Sequence, residues 1–533
     1  MRTNVRDTGA MACVAVATLL LAGCAPSASD GTGAEPGDVD WSACLDESEL
    51  EEVPTWGGDP DWSATLECGT LAVPLDHAAP DGETVDLALV RRPAEGPAHE
   101  RIGSLVVNPG GPGESGVAML DFPLFDDAVR GAFDLVSFDP RGVGDSGGFA
   151  CGDWFAMDDA RRAVEDPTKV TDPELDALEE TARAYADACV EEVGADFLAR
   201  IGTVDVVRDL DLIRQALGDA GLTYVGFSYG THVGALYADL FPDTTRALVL
   251  DGAVETERAN VEIALDQASG FRETWELFVA DCLNWGECPF SEVGESEDEM
   301  VALADRLDAD PPRTHGMAVD GPTLLAMVSL ELYHEDAWPG LARTLAALDR
   351  DPRGADAHLD ALYDATFGLQ EDDGPRADEE DEDGSGPDDP TAVERDEEAA
   401  LTAINCADRD DPTDPEVYRR AAQEVAADSP LFGPDLVWEQ LPCAYWVESE
   451  ETPTGFTAPD APPIVVIGTV GDPATPYTWA EELTDQLDSA VLVTYEGAGH
   501  TVYGYGEPCV DAAIDAYLLD EEVPDPGLSC PRA

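Results

Sequence analysis

Apolar residues fall along this chain in two different rhythms. From about residue 68 to 252, short apolar runs end in turns rich in glycine, proline or aspartate. CGTLAVPLD (68–76) and ETVDLALVRRP (83–93) are predicted strands that open a sheet. SLVVNPGGPG (104–113) is an apolar run closing in a glycine-rich turn, and FDLVSFDPRGVGDS (133–146) repeats that plan. Between 203 and 218, Val204, Val207, Leu210, Leu212, Ile213 and Leu217 fall largely on one helical face. LTYVGFSYGTHVGALYADLFP (222–242) reads as a short strand, a sharp turn and a helix stopped by Pro242, and RALVLDG (246–252) as another buried strand. Strands alternating with helices predict an α/β fold with a mostly parallel sheet covered by helices on both faces.

The rhythm changes near residue 253. Up to about 455 the pattern is helix-like and irregular, and it carries Trp275, Trp285, Trp338 and Trp446. The strand pattern returns at APPIVVIGTVGD (461–472) and AVLVTYEGAGH (490–500), followed by a helix-like stretch near 508–519. One α/β core, at 41–252 and 456–533, is therefore expected to be split by a largely helical cap at 253–455, over the mouth of the active site. Inside the cap, EDDGPRADEEDEDGSGPDDP (371–390) is dense in acid, glycine and proline. Such a segment buries too little apolar surface to order itself, and an acidic disordered loop is expected over 371–398. Its spacing fails the calcium-loop pattern. The chain has no internal repeat.

Charge narrows the function. The 533 residues include 113 acidic and 28 basic side chains, a formal net charge of −85, and Lys169 is the only lysine. That surface repels nucleic acid and anionic headgroups, so no nucleic-acid partner is expected. The N-terminus speaks to compartment. Arg2 and Arg6 precede a small, apolar stretch at 10–22 that is too short to span a bilayer. It ends in LAGC (21–24), which resembles a bacterial lipoprotein signal. The expectation is a signal peptide over 1–23, lipidation at Cys24 and a flexible tether over 24–40. The protein would then be extracytoplasmic, secreted or held to the membrane through that lipid alone, and a monomer is expected.

Cysteine usage agrees with export. Of 12 cysteines, Cys13 and Cys24 belong to the signal, leaving Cys44, Cys68, Cys151, Cys189, Cys282, Cys288, Cys406, Cys443, Cys509 and Cys530. An even number in an exported chain argues for disulfides. The sequence does not dictate connectivity; pairing each cysteine with its neighbour is the working expectation. No CxxC pair occurs and the histidines lie elsewhere, so neither metal nor cofactor is expected.

Chemistry concentrates in a few strand ends. GFSYG (226–230) matches the G-x-S-x-G nucleophile elbow, with an apolar strand before it and a helix after it, as that turn requires. A serine hydroxyl needs a base, and in this arrangement the chain order is Ser, then Asp or Glu, then His. His232, His315, His334, His358 and His500 follow Ser228. His232 is four residues along the same helix and should point away from the serine; His315, His334 and His358 sit in the cap. His500 ends the loop after a core strand, where the fold presents its base. Asp472, in VGDPATP, is the expected acid; Asp251 also ends a strand and is its rival. The oxyanion requires two backbone donors: the N–H of Tyr229 and one from NPGGPG (108–113), expected at Gly111 because Pro112 has none. Phosphate binding by that loop fails for want of a lysine or a second glycine fingerprint.

NPGGPG, DPRGVGDS, GFSYG, AINCAD (403–408), GDPATP and GAGH together resemble the actinobacterial tripeptidyl aminopeptidases and their secreted proteinase relatives. These are α/β-hydrolases related to prolyl iminopeptidases, with a characteristic C-terminal region. The resemblance runs from about residue 40 to the end. It implies release of short peptides or single residues from substrate N-termini, with Ser228, Asp472 and His500 as triad and Gly111 and Tyr229 as oxyanion hole. Glu114, in GGPGESG, departs from the family's usual small residue, and the acidic run at 371–390 is a second departure. An aminopeptidase must bind an ammonium group, for which Glu114 and Glu255 are candidates. Two other readings stay open: a carboxylesterase or amidase with the same triad, and a non-catalytic peptide-binding lipoprotein.

Overall fold

Alternate residues of the central strands bury themselves in two separate cores, one on each side of a single sheet. Val106, Tyr224, Leu248, Leu250, Ile464 and Val466 join one core, and Leu105, Val107, Val225, Val249, Val465 and Ile467 join the other. The period of two and the burial of both faces explain why these segments read as unbroken apolar runs. The computed structural model describes residues 39–46, 50, 60–152, 154–286, 288–367 and 390–532. The expected signal peptide, Cys24, the tether up to residue 38 and the acidic stretch 371–389 lie outside the described residues.

The strands are β1 (Ser42–Ala43), β2 (Glu67–Pro74), β3 (Thr84–Arg92), β4 (Gly103–Asn108), β5 (Phe133–Phe138), β6 (Leu222–Phe227), β7 (Thr245–Asp251), a two-stranded ribbon of β8 (Arg313–Thr314) and β9 (Met317–Ala318), then β10 (Ile464–Gly471), β11 (Ala490–Ala498) and β12 (Leu528–Cys530). All but the ribbon form one ten-stranded sheet in the order β1-β2-β3-β5-β4-β6-β7-β10-β11-β12. Pairing is antiparallel from β1 to β5 and parallel from β5 through β4, β6, β7, β10 and β11 to β12. This is the α/β-hydrolase arrangement. Parallel strands put their C-terminal ends on one edge, where loops can converge on a site.

Between β7 and β10 the described chain is mostly helical, from Asn260–Trp285 to Gly433–Glu439. It has its own core of Phe271, Trp275, Phe278, Trp338, Leu345 and Phe432. Trp275 and Trp338 are buried there, whereas Trp285 is exposed and Trp446 packs against the sheet's core. The expected irregular loop 371–398 is corrected at its end: residues 390–408 form a helix, Pro390–Asp408. Proline supplies a favourable first helical position, and Ala399, Ala400, Ala403, Ile404 and Ala407 recur at helical spacing and are buried. Two helices the apolar pattern had not singled out, Trp154–Arg162 and Asp172–Val193, precede β6. The second is anchored by Leu175, Leu178 and Ala182 against Val261, Ala264, Tyr418 and Trp438 of the insertion.

The cysteines pair in sequence order: Cys44–Cys68, Cys151–Cys189, Cys282–Cys288, Cys406–Cys443 and Cys509–Cys530. The last joins the helix Pro508–Asp520 to β12, a three-residue strand too short to show an apolar period. Closing a loop of 21 residues restricts the unfolded chain. Replacing Cys509 and Cys530 together by alanine is expected to lower the unfolding free energy by about 3 kcal/mol. Denaturant titration checks this; an unchanged midpoint would show that the bridge contributes no stability. Among the described residues no helix is long and apolar enough to cross a membrane.

Candidate active site

Ser228 follows the last residue of β6 and takes φ +52°, a left-handed conformation that costs energy for a side-chain residue. Its N–H donates to the carbonyl of Asp251 at 2.9 Å, and the helix Gly230–Leu240 starts two residues on. The strand, strained turn and helix that GFSYG predicts are all present. Gly110, which the sequence reading passed over, presses onto this turn. A Cβ there would stand 2.9 Å from Ser228 Cβ and 3.2 Å from Tyr229 N. Glycine at φ +109° is what lets the NPGGPG loop approach the elbow so closely. Gly111 follows at the open side of the loop, with φ +97°.

The rest of that loop is tied down from beneath. The Ser115 hydroxyl donates to Asp139 at 2.7 Å, and Asp139 also accepts the N–H groups of Val117 (3.0 Å) and Asp145 (2.9 Å). DPRGVGDS thus acts as the anchor of NPGGPG. Asp139 is buried, and desolvation pushes its carboxyl up to about 6 against these bonds.

Asp472 and His500 meet at the ends of β10 and β11. His500 Nδ1 lies 2.9 and 3.0 Å from the two oxygens of Asp472, its N–H donating to the carboxylate. Asp472 is buried and also accepts the N–H groups of Ala474 (3.0 Å) and Thr475 (2.8 Å) and the Thr475 hydroxyl (2.9 Å). The imidazole is held on its other sides by the insertion. The backbone N–H of His500 donates to the Tyr333 carbonyl at 2.9 Å, and the Tyr333 ring stands edge-on to the imidazole with centroids 5.2 Å apart. A Cβ on Gly252, beside the carbonyl that holds Ser228 N–H, would be 3.2 Å from His500 Cε1. The ring therefore lies next to the strand end that holds the serine turn. Burial disfavours the imidazolium, but Asp472, Asp251 and Glu114 outweigh it and raise the His500 pKa.

Asp251, the rival acid, does other work. Its Oδ2 accepts the N–H groups of Val502 (2.9 Å) and Tyr503 (2.7 Å), so it holds the turn that follows His500. His334 lies beside the base, its backbone bridging Gly499, and burial lowers its pKa; the other histidines that follow Ser228 go elsewhere. His232 is buried behind the elbow, stacked on Phe456, and desolvation pulls its pKa down to about 3. His315 pairs with Asp364 at 2.7 Å, and His358 is exposed.

The two amine-binding candidates separate. Glu255 is buried, accepts the N–H groups of Glu257 (3.0 Å) and Arg258 (2.7 Å), and faces Arg409 at 3.8 Å. Its carboxylate is engaged within the protein, which argues against it as an ammonium site. Glu114 is exposed to solvent, and the protein around it partly desolvates its carboxyl. That surrounding raises its pKa, while the charge of nearby His500 lowers it.

Residues 103–294 match the family described as alpha/beta hydrolase fold, and residues 429–530 match the family described as TAP-like protein. The serine protease Hip1 of Mycobacterium tuberculosis is 36% identical over 510 residues, covering 92% of this chain and 91% of that protein. The tripeptidyl aminopeptidase of Streptomyces lividans is 31% identical over 505 residues, covering 92% of this chain and 86% of that protein. Carboxylesterase B of Mycobacterium tuberculosis is 34% identical over 481 residues, covering 87% and 86%.

Proposed function

Because the chain belongs to the α/β-hydrolase family of the tripeptidyl aminopeptidases and is a serine hydrolase of that family, we propose that it is an extracytoplasmic aminopeptidase releasing short peptides from substrate N-termini through an acyl-enzyme. The hydrogen bond from His500 Nδ1 to Asp472, beside the strained Ser228 turn, carries this reading. Ser228 Oγ attacks the scissile carbonyl carbon while its proton passes to His500 Nε2. The N–H groups of Tyr229 and Gly111 hold the resulting oxyanion. His500 returns the proton to the leaving amine as the C–N bond breaks, and water then hydrolyses the ester by the same route. Asp472 keeps the imidazole in the tautomer with Nε2 free and stabilises the imidazolium. Five disulfides support a compartment outside the reducing cytoplasm.

Glu114 is the proposed partner of the substrate ammonium group, because its carboxylate is exposed and close enough to His500 for the two charges to interact. Replacing it with glutamine is expected, at a pH above the acid limb, to lower kcat/KM about tenfold for a free tripeptide amide and to leave the acetylated analogue unchanged. Equal losses on both would remove Glu114 from amine recognition.

The carboxylesterase reading is kept by the 34% identical relative of that name. A fluorophosphonate probe, followed by free and acetylated chromogenic tripeptide amides and a simple ester, separates the two. Labelling at Ser228 with cleavage of the free peptide supports the aminopeptidase. Labelling with turnover of esters alone leaves a serine esterase.

A further inference from the structure

AINCAD is the motif that hydrolysis as described leaves without a task. We propose that its last residue, Asp408, is a positioning residue for the oxyanion hole, acting through Thr203 on Tyr229. The inference rests on the reading of Tyr229 N–H as an oxyanion donor.

Asp408 closes the helix Pro390–Asp408 of the insertion and is buried, as are Thr203 and Tyr229. Its Oδ1 accepts the Thr203 N–H at 2.7 Å and its Oδ2 accepts the Thr203 hydroxyl at 2.6 Å. Thr203 Oγ1 in turn lies 2.5 Å from the phenol oxygen of Tyr229. Burial pushes the Asp408 carboxyl up to about 6, and in its ionised form it can only accept. The single hydroxyl proton of Thr203 is then committed to Asp408, and Tyr229 must donate to Thr203. The chain of bonds has one direction, from phenol to hydroxyl to carboxylate. Fully satisfied buried networks of this kind hold their members in one arrangement.

What it holds is the residue directly after the nucleophile. Tyr229 has φ −50° and ψ −33°, and anchoring its ring restricts the backbone that carries its N–H. The approach is built for: a Cβ on Gly202 would stand 2.9 Å from Asp408 Oδ1. The next residue extends the joint into the insertion. Arg409 donates to the carbonyls of Arg258 (2.7 Å) and Glu255 (2.6 Å), where the insertion leaves the sheet. Docking of the insertion and alignment of the oxyanion donor are therefore made by adjacent side chains. A helix cap alone would account for the bond to Thr203 N–H, because Gly202 at the N-terminus of the helix Thr203–Leu217 has no side chain to offer. It would not account for the bond to Tyr229.

Kinetic coupling separates the two roles. Steady-state ester hydrolysis, fluorophosphonate labelling rate and thermal unfolding are measured for wild type, D408N, Y229F and the double variant. Y229F keeps ring and amide and removes only the phenol oxygen. Each single variant is expected to lower kcat at least about fivefold with KM within about twofold, and the double to fall no more than about twofold below the worse single. Losses that multiply, or either single variant with wild-type kcat, overturn the proposal. If D408N does not fold, the same cycle with T203V decides by the same outcomes. A wild-type protein that neither labels at Ser228 nor turns over would sink the hydrolase reading itself, a different result from additivity in an active enzyme.

Discussion

Alanine at position 228 is expected to lower kcat by about 10⁶-fold while KM and the unfolding midpoint change little. Ser228 already occupies φ +52°, and alanine meets the same backbone strain, so the turn survives the substitution. What disappears is the nucleophile. The loss is large because an uncatalysed water attack must replace an oriented hydroxyl, and the oxyanion donors retain only their own share of the acceleration. His500→Ala is expected to cost nearly as much, and the double variant no more than either, because serine and base act as a unit. Turnover of a chromogenic amide, with the fluorophosphonate probe counting active sites, checks all three. A loss below tenfold in folded Ser228→Ala protein would mean that the nucleophile is another group.

How much of this was legible beforehand depends on how far apart the cooperating residues are. Ser228, Asp472 and His500 each end an apolar strand, so a local pattern marks them, and parallel pairing of β6, β7, β10 and β11 places those ends on one edge. The choice between Asp472 and Asp251 also had a local basis, in the loop that precedes the strand leading to His500. The assignments that changed depend on long-range contacts. Glu255 looks like a free carboxylate at the cap entrance, and only the fold brings Arg409 to it from 154 positions away. Asp408 and Thr203 are 205 residues apart, so no spacing rule links them. Gly110 was hidden in plain view: NPGGPG announces close backbone approach, but which glycine meets the elbow depends on the turn's path. The helix Pro390–Asp408 begins inside the stretch whose acidic, proline-rich composition predicts disorder, because the alanine and glutamate of TAVERDEEAA favour helix.

Asp472→Asn provides the second large effect, and it tests the electrostatics as well as the geometry. Asparagine can offer its N–H₂ to Nδ1, which places the proton on Nε2 and leaves no acceptor for the serine proton; kcat is expected to fall about 10⁴-fold. The pH dependence should move too, and its sign follows from the bound charges. Catalysis needs neutral His500. Burial lowers its pKa, but the charge and hydrogen bond of Asp472, with Asp251 and Glu114, raise it above the ordinary 6.5. A base whose pKa is raised is neutral only above that raised value, so wild-type kcat/KM is expected to decline, as pH falls, at a point above 6.5. Removing the Asp472 charge takes away the largest of the raising influences. The acid limb of the residual activity should therefore shift to lower pH. Glu114→Gln should shift it the same way by less, since the Glu114 charge raises His500 less than those of Asp472 and Asp251 do. Profiles of kcat/KM for these three proteins and for Asp251→Asn decide the matter. If the limb of Asp472→Asn stays in place and Asp251→Asn moves it, the imidazole is governed by Asp251, and its bonds to Val502 and Tyr503 are incidental to its role.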